Sequence, residues 1–223
     1  MTIACRRASR EKPELDVRQL WRQASMHPVL RPSTEWRVHR KWTRAGRPVP
    51  APPIVKQRVV KRALRTHALD TVIETGTFTG EMVAALVGCA RRIVSIELDD
   101  ALYEAAVRRF AHAPGVELLH GDSARLLAPL VKELSRPALF WLDGHYTGPG
   151  SARTDVASPI VREIETILAH PMPGHVVLID DAREFTGQDG YPTINALRDM
   201  VRRVQPRAEF VVEDDIIRWI SKP

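Results

Sequence analysis

Two cysteines, Cys5 and Cys89, are too few in 223 residues to imply a disulfide framework. Cys89 sits among apolar residues and is expected to be a small core hydrophobe. No apolar run approaches the roughly 18–20 residues of a membrane span, so none is expected. The opening stretch MTIACRRASREKPELD has no apolar segment after its basic start, so no secretory leader is expected. Glu11, Glu14 and Asp16 argue against a transit peptide. These absences make a cytoplasmic location the default. There is no internal repeat.

Acidic residues are scarce at one end only. Residues 1–50 hold 12 Lys/Arg against 4 Asp/Glu, while the other 173 residues hold 21 against 23. The formal charge of +6 therefore belongs to an N-terminal arm. A nucleic-acid enzyme more often spreads positive charge around its active site, so nucleic acid is not expected as a partner. The arm reads as a solvated tail or as a basic element that meets an acidic partner. It carries Trp21, Trp36 and Trp42, which are costly to leave in water, so part of it is expected to dock. A homodimer would be one way to dock it. A short amphipathic helix is expected around Leu15–Ala24. Pro48-Val49-Pro50-Ala51-Pro52-Pro53 then reads as a stiff linker. The division expected is residues 1–53 as arm and linker and 54–223 as one domain.

From Ile54 onward, helical and strand patterns alternate. Helices are expected at Ile54–His67, Glu81–Val87, Ala101–His112, Ala124–Leu134, Pro159–Ala169 and Thr193–Val204. Strands are expected at Thr71–Glu74, Arg92–Glu97, Val116–His120, Ala138–Asp143, His175–Asp180, Glu209–Glu213 and Ile216–Ile220. Repeated strand–helix units with nearly continuous apolar strands imply an α/β fold. Its sheet should be Rossmann-like, doubly wound, seven-stranded and mostly parallel. The last two strands leave no room for a helical crossover and should form an antiparallel hairpin around Asp214-Asp215.

In such sheets ligands bind beyond the carboxyl ends of the strands, near the point where strand order reverses. The first strand runs into Glu74-Thr75-Gly76-Thr77-Phe78-Thr79-Gly80. Gly76 allows a tight turn and close ligand approach, and Gly80 lets the next helix pack closely. The loop lacks the dinucleotide Gly-x-Gly-x-x-Gly and the Lys-Ser/Thr ending of a P-loop. Glu97 ends the second strand, where a carboxylate can accept both hydrogens of a ribose diol. Gly121-Asp122-Ser123 follows the third strand, where a side chain can read an adenine edge. Asp122 or Ser123 can equally cap the next helix, and the two roles are compatible.

Glu74–Gly80, Glu97 and Gly121–Ser123 together resemble the successive cofactor-binding motifs of class I methyltransferases, which use S-adenosyl-L-methionine (SAM). The resemblance covers about residues 55–223. It implies that the glycine loop passes the methionine part of SAM, that Glu97 meets the ribose and that Asp122 and Ser123 frame adenine. Glu74, Thr75, Gly76, Thr77, Gly80, Glu97, Asp122, Ser123 and Asp143 are the expected cofactor-binding residues. The commoner acidic-Gly-x-Gly-x-Gly form is absent, because Thr77 and Phe78 replace its middle. The Glu-Thr-Gly-Thr form is similar to that of some small-molecule O-methyltransferases.

On the acceptor side, strand four ends in Trp141-Leu142-Asp143-Gly144-His145-Tyr146 and strand five in Ile179-Asp180-Asp181-Ala182-Arg183. Asp143, Asp180 and Asp181 on one rim would repel one another unless a cation neutralised them. Hard oxygen ligands suit Mg²⁺ or Mn²⁺. The alternative is that Asp143 and Asp181 cap neighbouring turns and Asp180 points elsewhere. His145, two residues beyond Asp143, has an ordinary pKa suited to taking a proton from an acceptor hydroxyl, so His145 and Asp143 are the expected catalytic residues.

This stretch resembles metal-dependent O-methyltransferases. The Asp-Gly-His-Tyr run and the paired aspartates fit sugar enzymes of the macrocin O-methyltransferase type better than catechol-type enzymes, whose Lys base is not recognisable at these loops. The implied activity is O-methylation of a sugar, glycan or other small-molecule hydroxyl. The alternatives are a catechol or phenol acceptor, or a non-catalytic SAM-binding protein with a basic interaction arm. Thr147–Ser158, with Arg153 and Asp155, reads as an acceptor loop, and Phe185–Pro192, with Tyr191, as a second wall of the acceptor pocket.

Overall fold

The computed structural model describes residues 32–144 and 159–222. Two helices precede the sheet, α1 (Pro32–Arg44) and α2 (Pro53–Thr66). Then follow β1 (Thr71–Thr75), α3 (Glu81–Leu86), β2 (Arg92–Glu97), α4 (Asp100–Phe110), β3 (Val116–His120) and α5 (Ser123–Lys132). The second half holds β4 (Leu139–Leu142), α6 (Ile160–Leu168), β5 (Val176–Ile179), α7 (Ile194–Val204), β6 (Glu209–Glu213) and β7 (Ile216–Ile220). A single 3-10 turn, Ala182–Glu184, follows β5.

All seven strands form one sheet in the order β3-β2-β1-β4-β5-β7-β6. Strands one to five are parallel, and β7 runs antiparallel to both β5 and β6. The strand order reverses between β1 and β4, so the crevice above that pair is where such a sheet takes a ligand. The central strands β1, β4 and β5 are buried along their whole length, which is why their sequences read as continuous apolar runs. Alternate residues serve opposite faces. Ile73, Phe140, Leu142, Val177 and Ile179 join one core with α5, α6 and α7. Val72, Leu139, Trp141, Val176 and Leu178 join the other with α2, α3 and α4.

Local chemistry sets the element ends. Asp99 caps α4 by accepting from the Leu102 amide at 2.9 Å, and Thr193 caps α7 through the Ala196 amide at 3.1 Å. The β6–β7 turn places both Asp214 and Asp215 at positive φ, 58° and 62°, as a two-residue turn matched to strand twist requires.

The helix α1 is an addition to the sequence reading, and Leu15–Ala24 and Trp21 lie outside the described residues. Trp42 of α1 is buried with Ala51, Ile54 and Val55, and its indole N–H donates to the Pro48 carbonyl at 2.8 Å. The proline-rich segment is therefore packed where it passes Trp42. Trp36 stays 53% exposed, with the Arg40 guanidinium 4.8 Å from its ring centre. Arg47 reaches Glu213 and Asp214, both at 3.1 Å, and ties this region to the C-terminal hairpin. Cys89 is exposed rather than in the core, because it lies in the turn after α3 beside Gly88 at φ 76°. No helix among the described residues is long and apolar enough to cross a membrane.

Candidate functional site

The glycine loop is built by β1 leaving the sheet beside β2. The amides of Gly76 and Thr77 both donate to the Ile96 carbonyl, at 2.9 and 3.2 Å. Gly76 has φ +84°, and a Cβ there would lie 2.6 Å from the Asp143 carbonyl oxygen. The loop therefore crosses directly against the end of β4, which only glycine permits. Gly80, at φ +75°, starts α3, and a Cβ on it would strike the Phe110 ring at 2.6 Å. Helix packing, as expected, is its constraint.

Glu97 ends β2 in a nest of backbone donors. Its Oε2 accepts from the Phe78 amide at 2.7 Å, and its Oε1 from the amides of Leu98 and Asp99 at 2.9 and 3.0 Å. Three of about four acceptor positions are thus taken, so Glu97 pins the glycine loop and keeps one position at Oε2 for a ligand. That is one hydrogen bond fewer than the diol contact expected from sequence. Burial raises the Glu97 pKa, against the pull of the three amides.

Glu74 lies inside the sheet, 2% exposed. Ser95 Oγ is hydrogen-bonded to Glu74 Oε2 and lies 2.6 Å from Thr77 Oγ1, a second contact, hydroxyl to hydroxyl. Burial pushes Glu74 up to about 8, with Asp143 and Glu97 adding to the rise and Ser95 opposing it. Thr75 Oγ1, at the strand end, is buried with no hydrogen-bond partner among the described residues.

Beyond β3, Asp122 caps α5 by accepting from the Ala124 amide at 2.9 Å. Ser123 is buried and donates to Glu163 Oε1 of α6 at 2.5 Å. Its hydroxyl ties two helices together, so of this pair Asp122 is the one left to meet a ligand.

The fold brings the ends of β4 and β5 side by side: the Asp143 amide donates to Thr75 O and the Asp180 amide to Leu142 O, both at 3.0 Å. Asp143 acts electrostatically on Glu74, Asp180 and Lys56. Asp180 is 1% exposed. Asp181 takes a left-handed conformation, φ 54° and ψ 48°, uncommon for a side-chain-bearing residue. The residue the sequence reading missed is Lys56, from the first turn of α2. Its ammonium donates to Asp180 Oδ2 at 2.5 Å and to Asp181 Oδ1 at 3.1 Å. Arg183 also holds Asp181, at 2.8 Å, and is paired in turn with Asp215 of the hairpin turn.

The ionisation follows these contacts. Burial raises Asp180, with Asp143 and Asp181 adding to the rise against Lys56. Burial also works to raise Asp181, but Lys56 and Arg183 outweigh it and lower the pKa. Lys56 is held above the ordinary lysine value: burial lowers it, and Asp180, Asp181 and Asp143 more than compensate. A signal for Lys56 exists in the sequence: it shares the apolar stripe Val55, Val59, Val60 and Ala63 of its helix, an unusual place for a charge.

His145, the expected base, lies outside the described residues, as do Thr147–Ser158, Arg153 and Asp155. Phe185, expected in a pocket wall, is 4% exposed and stacks edge-on against Tyr191, 5.4 Å away, within the core.

The residues fit SAM. A pinned glycine loop, an acceptor position on Glu97, the orphaned Thr75 hydroxyl and the nearby Asp143 carboxylate suit a ligand with a diol, an amino group and a sulfonium. As arranged, the described residues do not fit a divalent ion. A Mg²⁺ bound to the same Asp180 and Asp181 oxygens at about 2.0–2.1 Å would overlap the Lys56 ammonium. Even about 4 Å away the two cations would repel by roughly 8 kcal/mol at an effective dielectric near 20. No group of three His, Cys, Asp or Glu among the described residues is arranged to hold a metal.

No family model matches the chain. Three solved structures of the same architecture are an O-methyltransferase from Bacillus cereus, the O-methyltransferase TomG from Streptomyces achromogenes and a methyltransferase from Podospora anserina. The first has TM-score 0.58 and 16% identity, covering 92% of this chain and 97% of that one. The second has TM-score 0.54 and 17% identity, covering 91% and 95%. The third has TM-score 0.54 and 15% identity, covering 96% and 99%. The Bacillus structure holds SAH (S-adenosylhomocysteine) and the Streptomyces one SAM. At these identities the likeness is one of fold: the chain shares the Rossmann-like fold of these methyltransferases. In sequence it is similar to the ribosomal RNA small subunit methyltransferase A of Dehalococcoides mccartyi, 33% identical over 72 residues. The corresponding Streptomyces griseus enzyme is 34% identical over 93 residues. These matches cover 31% and 38% of this chain but only 25% and 30% of those proteins.

Proposed function

We propose that this protein is a SAM-dependent methyltransferase that methylates a hydroxyl of a sugar, glycan or other small molecule. The observation that carries the reading is the clasp between β1 and β2. Glu97 is locked at a strand end by the Phe78 amide of the glycine loop, beside the point where strand order reverses. That clasp preorganises a groove for a nucleoside with a charged tail, and preorganisation is where binding sites of this kind gain affinity.

SAM supplies an electrophilic methyl on a sulfonium. The chain's own work is to align an acceptor oxygen with that methyl. Thr75 and Asp143 line the cofactor side, Glu97 accepts a ribose hydroxyl and Asp122 faces the adenine. The β4–β5 rim forms the acceptor side, with His145 beyond Asp143 as the proposed base. A phenolic acceptor is the nearest alternative.

Two observations favour a second reading with an RNA acceptor. α2 exposes Arg58, Arg62 and Arg65 on one face, α1 exposes Arg37, Arg40, Lys41 and Arg44, and the short sequence likeness is to ribosomal RNA methyltransferases. The hydroxyl reading is preferred because the rim of the sheet itself is acidic.

Calorimetry with SAM tests the first claim. Wild type should bind SAM, and Glu97→Ala should bind it more weakly by roughly 1–3 kcal/mol, the scale of unpairing a buried polar group. A folded Glu97→Ala protein with unchanged affinity removes Glu97 from the ribose. Turnover on separate panels of glycans, phenols and ribosomal RNA then decides the acceptor, and methylation of RNA alone would overturn the small-molecule reading.

A further inference from the structure

The acid cluster at the β4–β5 rim already contains a cation. We propose that Lys56 stands in for a divalent ion: its ammonium bridges the two carboxylates after β5, and methyl transfer in this protein needs no metal. The inference rests on the methyltransferase reading above and concerns its acceptor side.

Lys56 is not a surface lysine that happens to lie near acids. Its side chain is 16% exposed and Asp180's is 2% exposed, so the pair is formed inside the rim. The two contacts are to different residues, 2.5 Å to Asp180 and 3.1 Å to Asp181, which is the bridging job an ion would do. The lysine arrives from α2, whose buried Val60 and Leu64 pack into the core on the sheet while Val55 packs against Trp42, so the ammonium is delivered by a rigid element. Arg183 holds Asp181 from the other side at 2.8 Å. Of the three ammonium N–H donors, two go to these carboxylates, and the third can serve an oxygen of the acceptor. Lys56 is thus a positioning residue. It keeps Asp180 and Asp181 together as one wall of the acceptor site and neutralises charge that would otherwise draw in a metal.

The test exchanges the internal cation for an external one. Mn²⁺ is titrated into the full chain and followed by electron paramagnetic resonance, with SAM affinity measured on the same samples. Wild type should take up no stoichiometric Mn²⁺ at millimolar concentration, and EDTA should leave its SAM affinity unchanged. Lys56→Ala should expose the acids and bind one Mn²⁺ at least tenfold more tightly than wild type. Lys56→Arg should retain the cation and remain free of Mn²⁺. Asp180→Asn added to Lys56→Ala should abolish the new site. Once an acceptor is in hand, wild-type turnover should be insensitive to EDTA and that of Lys56→Ala should depend on Mn²⁺ or Mg²⁺. Stoichiometric Mn²⁺ in the wild type, lost in Asp180→Asn, would overturn the proposal, whether or not Lys56→Ala folds. So would a folded Lys56→Ala protein that takes up no Mn²⁺. Failure of wild type to bind SAM would instead count against the methyltransferase reading, so the two outcomes are distinguishable.

Discussion

At the scale of single residues, the carboxyl groups at the ends of β1 and β2 sit in different hydrogen-bond settings. Glu97 sits among three amides, whereas Glu74 is buried with Ser95 as its only hydrogen-bond donor among the described residues, and its pKa rises to about 8. The consequence for stability has a definite sign. An unfolded Glu titrates near 4.5, so between about 4.5 and 8 the folded state keeps a proton that the unfolded chain releases. Stability should therefore fall as pH rises through this window. Glu74→Gln keeps an acceptor for Ser95 and has no proton to lose. Its melting temperature should exceed that of wild type at pH 8 or above, by an amount on the order of a few kcal/mol in stability. The gap should close towards pH 4.5. Thermal melts across that range check it, and a gap that does not change with pH would mean that Glu74 is not the titrating group.

At the scale of elements, the loops after the strands carry folding tasks at the positions proposed for binding. Asp122 is the clearest case, because it caps α5 and is also the side chain we propose to face the adenine. Asp122→Ala should lose about 1 kcal/mol, the usual worth of a helix cap. Asp122→Asn, which caps equally well, should keep wild-type stability. Chemical denaturation of the two variants separates them, and equal loss in both would show that the charge, not the cap, matters to α5. Gly76 and Gly80 show the same doubling. Each was legible as a glycine loop, but their constraints differ: Gly76 avoids the β4 backbone, and Gly80 avoids Phe110. The element least legible from sequence was α1, since a basic segment with scattered tryptophans has no clean helical stripe. What orders it is Trp42 packing on Ala51, Ile54 and Val55.

At the scale of the whole molecule, the sheet carries a buried histidine, paired with a half-buried one, far along the chain from the site residues of β1 and β2. His175, 1% exposed beside β5, accepts from the Ala138 amide at Nδ1, 3.1 Å away. The ring therefore carries its proton on Nε2 and donates it to His170 Nδ1 at 2.8 Å. Burial first, and His170 second, hold His175 down to about 4. An unfolded His titrates near 6.5, so between about 4 and 6.5 the unfolded state binds the extra proton. This contribution is complete above pH 6.5 and is lost as pH falls towards 4. It amounts to roughly 3 kcal/mol at full extent. Denaturation from pH 7 to pH 4 should show stability falling with acid, and His175→Gln should flatten that slope. An unchanged slope would assign the acid sensitivity to other groups.

What the sequence by itself determined is the alternation of elements, the doubly wound sheet with its C-terminal hairpin, and the set of strand ends where polar residues gather. Those follow from local periodicity and from rules of chain connection, which need no knowledge of distant partners. It also marked Glu74, Glu97, Asp122, Asp143, Asp180 and Asp181 as residues of one rim. Only the tertiary structure decided what each carboxyl group meets. Ser123 turns to Glu163, Glu74 to Ser95, Glu97 to three amides, and Lys56 crosses from a helix before the first strand to Asp180. Lys56 and Asp180 are 124 positions apart in the chain. No periodicity links residues so far apart. Their meeting depends on how a helix lies across a sheet, which packing alone sets.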